Sequence, residues 1–480
     1  MSYAIIEQLR GRKRQCGQAL NLSLAAIVFL SLMTYAAFNI SQMIHAKNQT
    51  MNAADAGAYT AATIVARDLN FMAYSNRAMV ANHAVMGQIV SLASLSEMIY
   101  LASRDVSRLR YLRGVPFVGW ALAVLGDAFK GVAGAIGNAV LPTLEVLAKL
   151  QNGLITAISA MQPLAHRMTM IDMLKIENVI KANDPELEWA TTSNAGGMLT
   201  VASNAVNIKD AFFGNFTDQR SDDTALGRMR EVVNLSRDGF TIKREWLRAP
   251  WPVEQDTFFH GGTQLSSDNK TWMGVDGFEF DIDLLFFSLG IRLWETGEIA
   301  GSDGISDWRK LSHGDLYWNA HGAAYKRRNK RLKDSYSGIQ PYQELKEIKP
   351  GDRSNDSPIF VVLVYKPVRS NNESNITRTP NATQTFGTAD ADNPFHLKEG
   401  RAKIYGVAAS QVYFRRPTEN ENDPTAGKKS TNKNDKNAFF IFNEWYPDGT
   451  YASLFSPYWQ ARLTDVPTKI KAALLATVND

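Results

Sequence analysis

Apolar residues run along this chain in three rhythms: one unbroken stretch, a long helical spacing, and short strand-like runs. Between Arg14 and Lys47 there is no Asp, Glu, Lys or Arg, and residues 20–44 are dominated by Leu, Ala, Ile, Val, Phe and Met. About 20 apolar residues at 1.5 Å rise cross a hydrocarbon core of ~30 Å, so the stretch is long enough to span a bilayer. Its basic flank lies on one side only, at Arg10, Arg12, Lys13 and Arg14. The positive-inside rule then puts residues 1–17 in the cytoplasm and everything after about residue 46 outside it. A buried core helix is the plainer alternative. A cleaved secretory signal would need an apolar core of roughly 7–15 residues ending at a small-residue site, and His45-Ala46-Lys47-Asn48 offers no clear one.

From residue 51 to 113 there is no proline, and Ala, Met, Leu, Arg, Asn and Ser dominate. One long helix is expected here, continuing the anchor. Ala53, Ala54, Gly57, Ala58 and Ala61, with Ala56 and Ala62, give it a dense small-residue surface of the kind that lets helices approach closely. Asn70 with Arg77, and Asn76 with His83, recur at heptad spacing. A solvated stripe is the ordinary reading, and a polar seam fixing register against a partner helix is the sharper one. A second helical block, residues 114–164, is Gly-rich and apolar but carries Asp127 and Lys130 in its middle. A charge at mid-bilayer costs roughly 2.5–3.5 kcal/mol, so packing on the first helix, or lying at a membrane surface, fits better than a second span. An amphipathic stretch over residues 168–181 closes the helical region.

Beyond about residue 225 the period shortens. Strands are expected at 240–246, 278–287, 290–299, 359–368, 403–414 and 439–445. Phe278 to Leu284 alternates apolar and acidic, while residues 359–364 are continuously apolar, as in a strand covered on both faces. The polar segments 370–392 and 418–436 read as long surface loops. The fold class is α+β: a single transmembrane helix extended into a long helical stalk, followed by a β-rich domain of mixed or antiparallel pairing. The expected divisions are a basic leader 1–17, a transmembrane helix 18–46, a long extracytoplasmic helix 47–113, a helical region 114–220 and a β-rich region 221–480.

Composition adds mainly exclusions. A formal charge of +4 over 480 residues gives no reason to expect nucleic-acid binding. Cys16 is the single cysteine, so neither an intrachain disulfide nor a cysteine zinc cluster can form. No Gly-x-Ser-x-Gly, His-Glu-x-x-His or phosphate-loop pattern occurs. His260-Gly261-Gly262 reads as a turn, and the Asp281/Asp283 and Asp390/Asp392 pairs lack further ligands in a calcium-loop pattern. No enzyme, metal or cofactor is therefore expected. The basic run Lys326, Arg327, Arg328, Lys330 and Arg331 is a solvated loop by default, with contact to an anionic surface as the functional option.

Arg14-Gln15-Cys16-Gly17-Gln18-Ala19-Leu20 before the apolar stretch, and Asn52-Ala53-Ala54-Asp55-Ala56-Gly57-Ala58-Tyr59 after it, resemble the Tad (tight adherence, type IVb or Flp pilus) TadE/TadG-like membrane proteins. Residues 66–70 and 76–82 resemble the larger periplasmic members, as do Val412-Tyr413-Phe414-Arg415-Arg416-Pro417 and residues 454–463. The resemblance implies a structural or assembly role in a surface filament used for adhesion, with the inner membrane and other pilin-like subunits as partners and self-association as an option. It also marks Gly17-Gln18 as a candidate processing site. Processed type IV pilins place a glutamate five residues after the cleaved glycine, a position held here by Leu22. The Asp-x-Ser-x-Ser metal motif of some relatives is absent. An anchored extracytoplasmic binding protein or enzyme is the alternative.

Overall fold

The computed structural model describes residues 2–116, 119–172, 175–189, 217–246, 255–284, 287–302, 329–345, 359–367, 403–414, 454–468 and 470. A single helix, α1 (Ser2–Val106), runs through the apolar stretch and the small-residue tract without a break and tightens into a 3₁₀ turn at Ser107–Leu112. The chain then reverses. Helices α2 (Gly119–Ala135) and α3 (Leu141–Asp172), joined by a π-helical segment Ile136–Val140, return antiparallel along α1. Gly137 meets Tyr100, Gln151 meets Asn82, and His166 meets Asp68, which fixes that direction. Helix α4 (Ile176–Asn183) follows. The expected packing of the Gly-rich block on the first helix is thus what the chain adopts: Gly126 lies where any side chain would strike the Arg110 backbone.

Among the described residues the named strands pair antiparallel. One sheet orders β1 (Glu188–Trp189), β8 (Ile359–Pro367), β9 (Lys403–Phe414) and β10 (Trp459–Thr464). A second is a meander of β3 (Arg244–Trp246), β4 (Gln255–Leu265), β5 (Thr271–Leu284) and β6 (Phe287–Gly301). β2 (Thr217–Arg220) pairs with β7 (Tyr342–Leu345) between them in sequence. Two short helices, α5 (Asp223–Leu235) and α6 (Gly239–Ile242), precede the meander. The architecture is α+β.

β8 sits between β1 and β9 and is buried from Phe360 to Lys366, as its continuous apolar run demands. The 278–287 and 290–299 expectations become the two arms of one hairpin, because Leu284 pairs with Phe287. The 240–246 expectation is half corrected. Asp238 accepts from the Thr241 backbone N–H at 2.8 Å and starts a helical turn, so only Arg244–Trp246 is extended. His260-Gly261-Gly262 is strand, not turn. There Arg244 makes a fully buried bidentate pair with Asp276 at 2.7 and 2.8 Å. A Cβ at Gly261 would lie 2.0 Å from the Asp276 carboxylate, so glycine is what lets the strand pass the ion pair. The 439–445 strand and the loops at 370–392 and 418–436 lie outside the described residues.

Helix α1 serves as the spine of both cores. Its lower part (Ala53, Ala54, Ala58, Val65, Leu69, Met72) packs with Phe360, Val362, Val412 and Trp459 of the first sheet. Its upper part (Met79, Met86, Val90, Ala93) packs with Trp272 of the meander, Tyr336, Tyr342 and α3 residues Leu144 and Ile155. The indole of Trp272 lies against Gly87, where an added Cβ would meet the ring at 2.8 Å.

Candidate functional site

The region that can carry function is α1 from the apolar stretch into the cores. Leu20, Leu24, Phe29, Leu32, Phe38 and Ile44 are all exposed. At about 1.5 Å per residue, residues 20–44 extend roughly 37 Å, enough for a hydrocarbon core. Hydroxyls inside this stretch return to the helix: Ser23 donates to the Leu20 carbonyl at 2.8 Å, Ser31 to Ile27 at 2.7 Å and Thr34 to Leu30 at 2.8 Å. That removes the cost of an unpaired hydroxyl away from water. Burial begins immediately afterwards, at Ala46 and Thr50. Lys47 donates its ammonium to the Tyr405 carbonyl of β9, and a Cβ at Gly406 would meet the Thr50 carbonyl at 2.6 Å. No spacer separates the apolar stretch from the first sheet.

The small-residue face is occupied from within. Ala53, Ala54, Ala58, Ala61 and Ala62 have at most 2% of their surface exposed. Ser410 of β9 donates to the Ala58 carbonyl, and a Cβ at Gly57 would lie 3.2 Å from Ile180 and 3.3 Å from Val362. The close approach predicted for these residues is therefore made with the chain's own sheet and α4. In this fold the chain's own residues cover Ala53, Ala54, Ala58 and Ala61.

The heptad-spaced polar residues form an internal seam, with α3 as the partner helix and the chain returning to β10 as the second partner. Asn76 donates to the Gln343 and Leu454 carbonyls at 2.7 and 2.9 Å, and its carbonyl accepts from Gln162 at 2.7 Å. Asn70 pairs with both backbone groups of Trp459, at 2.9 and 3.0 Å, as a neighbouring strand would. Arg77 donates to the Phe455 carbonyl. Asp68 takes His166 at 2.6 Å and Thr169 at 3.1 Å. A carboxylate–imidazole pair with a nearby hydroxyl suggests catalysis, but the Asp68 and His166 side chains are 1% and 6% exposed, which leaves a substrate no approach. The seam aligns helices and strands.

Burial shifts His83 and Glu298 far from their ordinary values. Burial drives His83 down to about 3, and its Nδ1 lies 3.0 Å from the Tyr336 hydroxyl. Burial pushes Glu298 up to about 8, with Glu97 adding repulsion. Glu298 Oε1 accepts from the Leu332 backbone N–H at 3.2 Å, whereas Oε2 has no hydrogen-bond partner among the described residues. Below about pH 8 the folded chain holds a Glu298 proton that the unfolded chain releases above about 4.5, so stability falls as pH rises through this window. Glu298→Gln should flatten the Tm profile between about pH 5 and 8 and raise Tm at pH 8; an unchanged slope would refute the assignment. His83 acts in the opposite sense, with stability lost as pH falls below about 6.5.

Of the other predicted residues, Gly17 and Gln18 lie inside unbroken α1 backbone. Lys330 and Arg331 are exposed after an isolated bridge at Asn329, whereas Lys326, Arg327 and Arg328 lie outside the described residues. Among the described residues, no three His, Cys, Asp or Glu side chains converge as metal ligands. Sequence reasoning missed Gln162 and Gln343, whose partners lie far away in sequence.

Residues 17–64 match a family model, Tad, described as "Putative Flp pilus-assembly TadE/G-like". That segment holds the exposed apolar stretch and the whole small-residue face, residues 53–62. No curated protein and no solved structure matches the chain.

Proposed function

We propose that this chain, which carries a TadE/G-like Flp pilus-assembly domain over residues 17–64, is a membrane-anchored structural or assembly component of a Tad-type (type IVb) pilus. In this reading residues 18–46 cross the bacterial inner membrane, residues 1–17 are cytoplasmic, and the folded region stands in the periplasm or at the cell surface. The observation that carries it is the continuity of α1, which passes from an exposed, uncharged apolar stretch directly into the buried spine of both sheets. An anchor rigidly continuous with the fold sets the height and tilt of the domain above the bilayer. A flexible tether would set neither. The exposed Lys330 and Arg331 support the proposal that this basic run meets an anionic surface of a neighbouring subunit or lipid.

The test is the intact mass of the chain in sheared surface filaments and in washed inner membrane, with piliation scored after deletion. A species beginning at Gln18 in the filaments makes it a processed subunit. Full-length chain confined to the membrane, with piliation lost on deletion, makes it an anchored assembly factor. Unchanged piliation after deletion contradicts the pilus reading.

A further inference from the structure

Helix α3 has two faces. Leu144, Ala148, Gln151, Ile155, Gln162 and His166 are buried and turn inward. On the other side, Leu147, Leu154, Met161 and Met168 recur every seven residues, with Leu150, Ala157, Leu164 and Ile171 three places after each. This is an unbroken a/d heptad pattern over more than three repeats, the period of a coiled-coil seam rather than of a helix simply buried in a globule. Every member is exposed, the seven large side chains by 43–64%. No Asp, Glu, Lys or Arg interrupts residues 150–166. The g positions Gly153 and Ala160 are exposed and small, and a Cβ at Gly153 would meet nothing within 4 Å. On α1, Phe71, Tyr74, Val85 and Leu92 are exposed as well.

A bilayer does not fit this face. His166 is held to Asp68, which lies 24 residues beyond Ile44, or about 36 Å further along α1. The seam therefore runs alongside α1 outside the hydrocarbon layer that residues 20–44 would fill.

We propose that α3 pairs in parallel, in register, with α3 of a second copy of this chain. The orientation rests on the anchored reading, because two copies inserted in one membrane present their α3 helices in the same direction. Parallel pairing places Leu147, Leu154, Met161 and Met168 against their own equivalents. It also brings Arg167, at g, opposite Asp172, at the following e of the other copy. Arg167 is exposed and makes no ion pair or hydrogen bond among the described residues, while Asp172 is partnered only by Lys175, at 2.6 Å. Opposite charges at g and e are the pairs that set partner and direction in parallel coiled coils.

The experiment places single cysteines in a Cys16→Ser background of the full-length chain in its native membrane, followed by a short bifunctional maleimide. Leu154→Cys, Ala157→Cys and Met161→Cys should each give a covalent dimer, about fivefold or more stronger than the outward controls Lys149→Cys and Thr156→Cys. Arg167→Glu should weaken the seam cross-links, and Arg167→Glu with Asp172→Arg should restore them. Cross-linking at only one seam position indicates an antiparallel pair and overturns the proposal. Adducts of another mass, or no dimer at any seam position in a membrane-retained chain, overturn it in favour of a different partner or of coverage by this chain's own residues. A chain that washes off the membrane overturns the anchored reading instead, whatever its cross-links show.

Discussion

Replacing Asn76 by Leu should cost about 3 kcal/mol or more of stability, although the side chains are similar in size. The substitution strands the Gln343 and Leu454 carbonyls and the Gln162 amide at a fully buried position. Each abandoned buried partner costs about 1–3 kcal/mol, because water cannot reach it. The three partners belong to β7, to the chain preceding β10 and to α3, so one side chain ties three separate segments to α1. The expected readout is a Tm several degrees lower in detergent, with earlier proteolytic cutting of both sheets. Asn76→Asp should not rescue it, since a carboxylate cannot donate to the two carbonyls. A near-neutral Asn76→Leu would mean that the seam does not organise the fold.

The second large effect concerns the alanine face. Ala54→Leu with Ala58→Leu adds three carbons at each of two positions that have no exposed surface. Overpacking costs about 1–3 kcal/mol per site, and these sites lie one turn apart, so their strain is shared rather than additive. β8 and β9 cannot retreat freely, because Ser410 is bonded to the Ala58 carbonyl and β9 crosses Thr50 at Gly406. The double variant should lose the first sheet's packing, seen as protease sensitivity in the β8–β9 region, while Ala81→Leu at an exposed position of α1 changes stability by no more than about 0.5 kcal/mol. A double variant that stays fully folded yet fails to assemble would show that this face meets another subunit.

The two substitutions mark where the sequence was legible. Uncharged length made the apolar stretch readable, and β8 followed from the unbroken apolar run Ile359 to Val364. Small size at Ala53 to Ala61 goes with close approach, here by the chain's own sheet and α4. It carried no information about what approaches, because an alanine packs equally against a helix or a sheet. The same limit hid the spine role of α1: the helical period reports that a face is buried, whereas the covering strands come from residues more than 300 positions away, such as Val362 and Val412. Short strands such as β1 and β2 fall below any periodic signal. At 240–246, aromatic and β-branched residues outweighed the cap supplied by Asp238, and a helical turn was read as strand. Asn70 and Asn76 showed through their spacing, although their main partners are backbone groups, which side-chain patterns do not record.

In the proposed arrangement α1 crosses the inner membrane and carries the fold on its far side. Labelling with a membrane-impermeant maleimide on intact spheroplasts tests it most directly, using Cys16 as the only cysteine of the chain and Gly114→Cys in a Cys16→Ser background at the open tip of the helical hairpin. Gly114→Cys should be labelled in intact spheroplasts, Cys16 should be labelled only after lysis, and both chains should stay in the membrane after an alkaline wash. Labelling of Cys16 without lysis, or release of the chain by the wash, would contradict it.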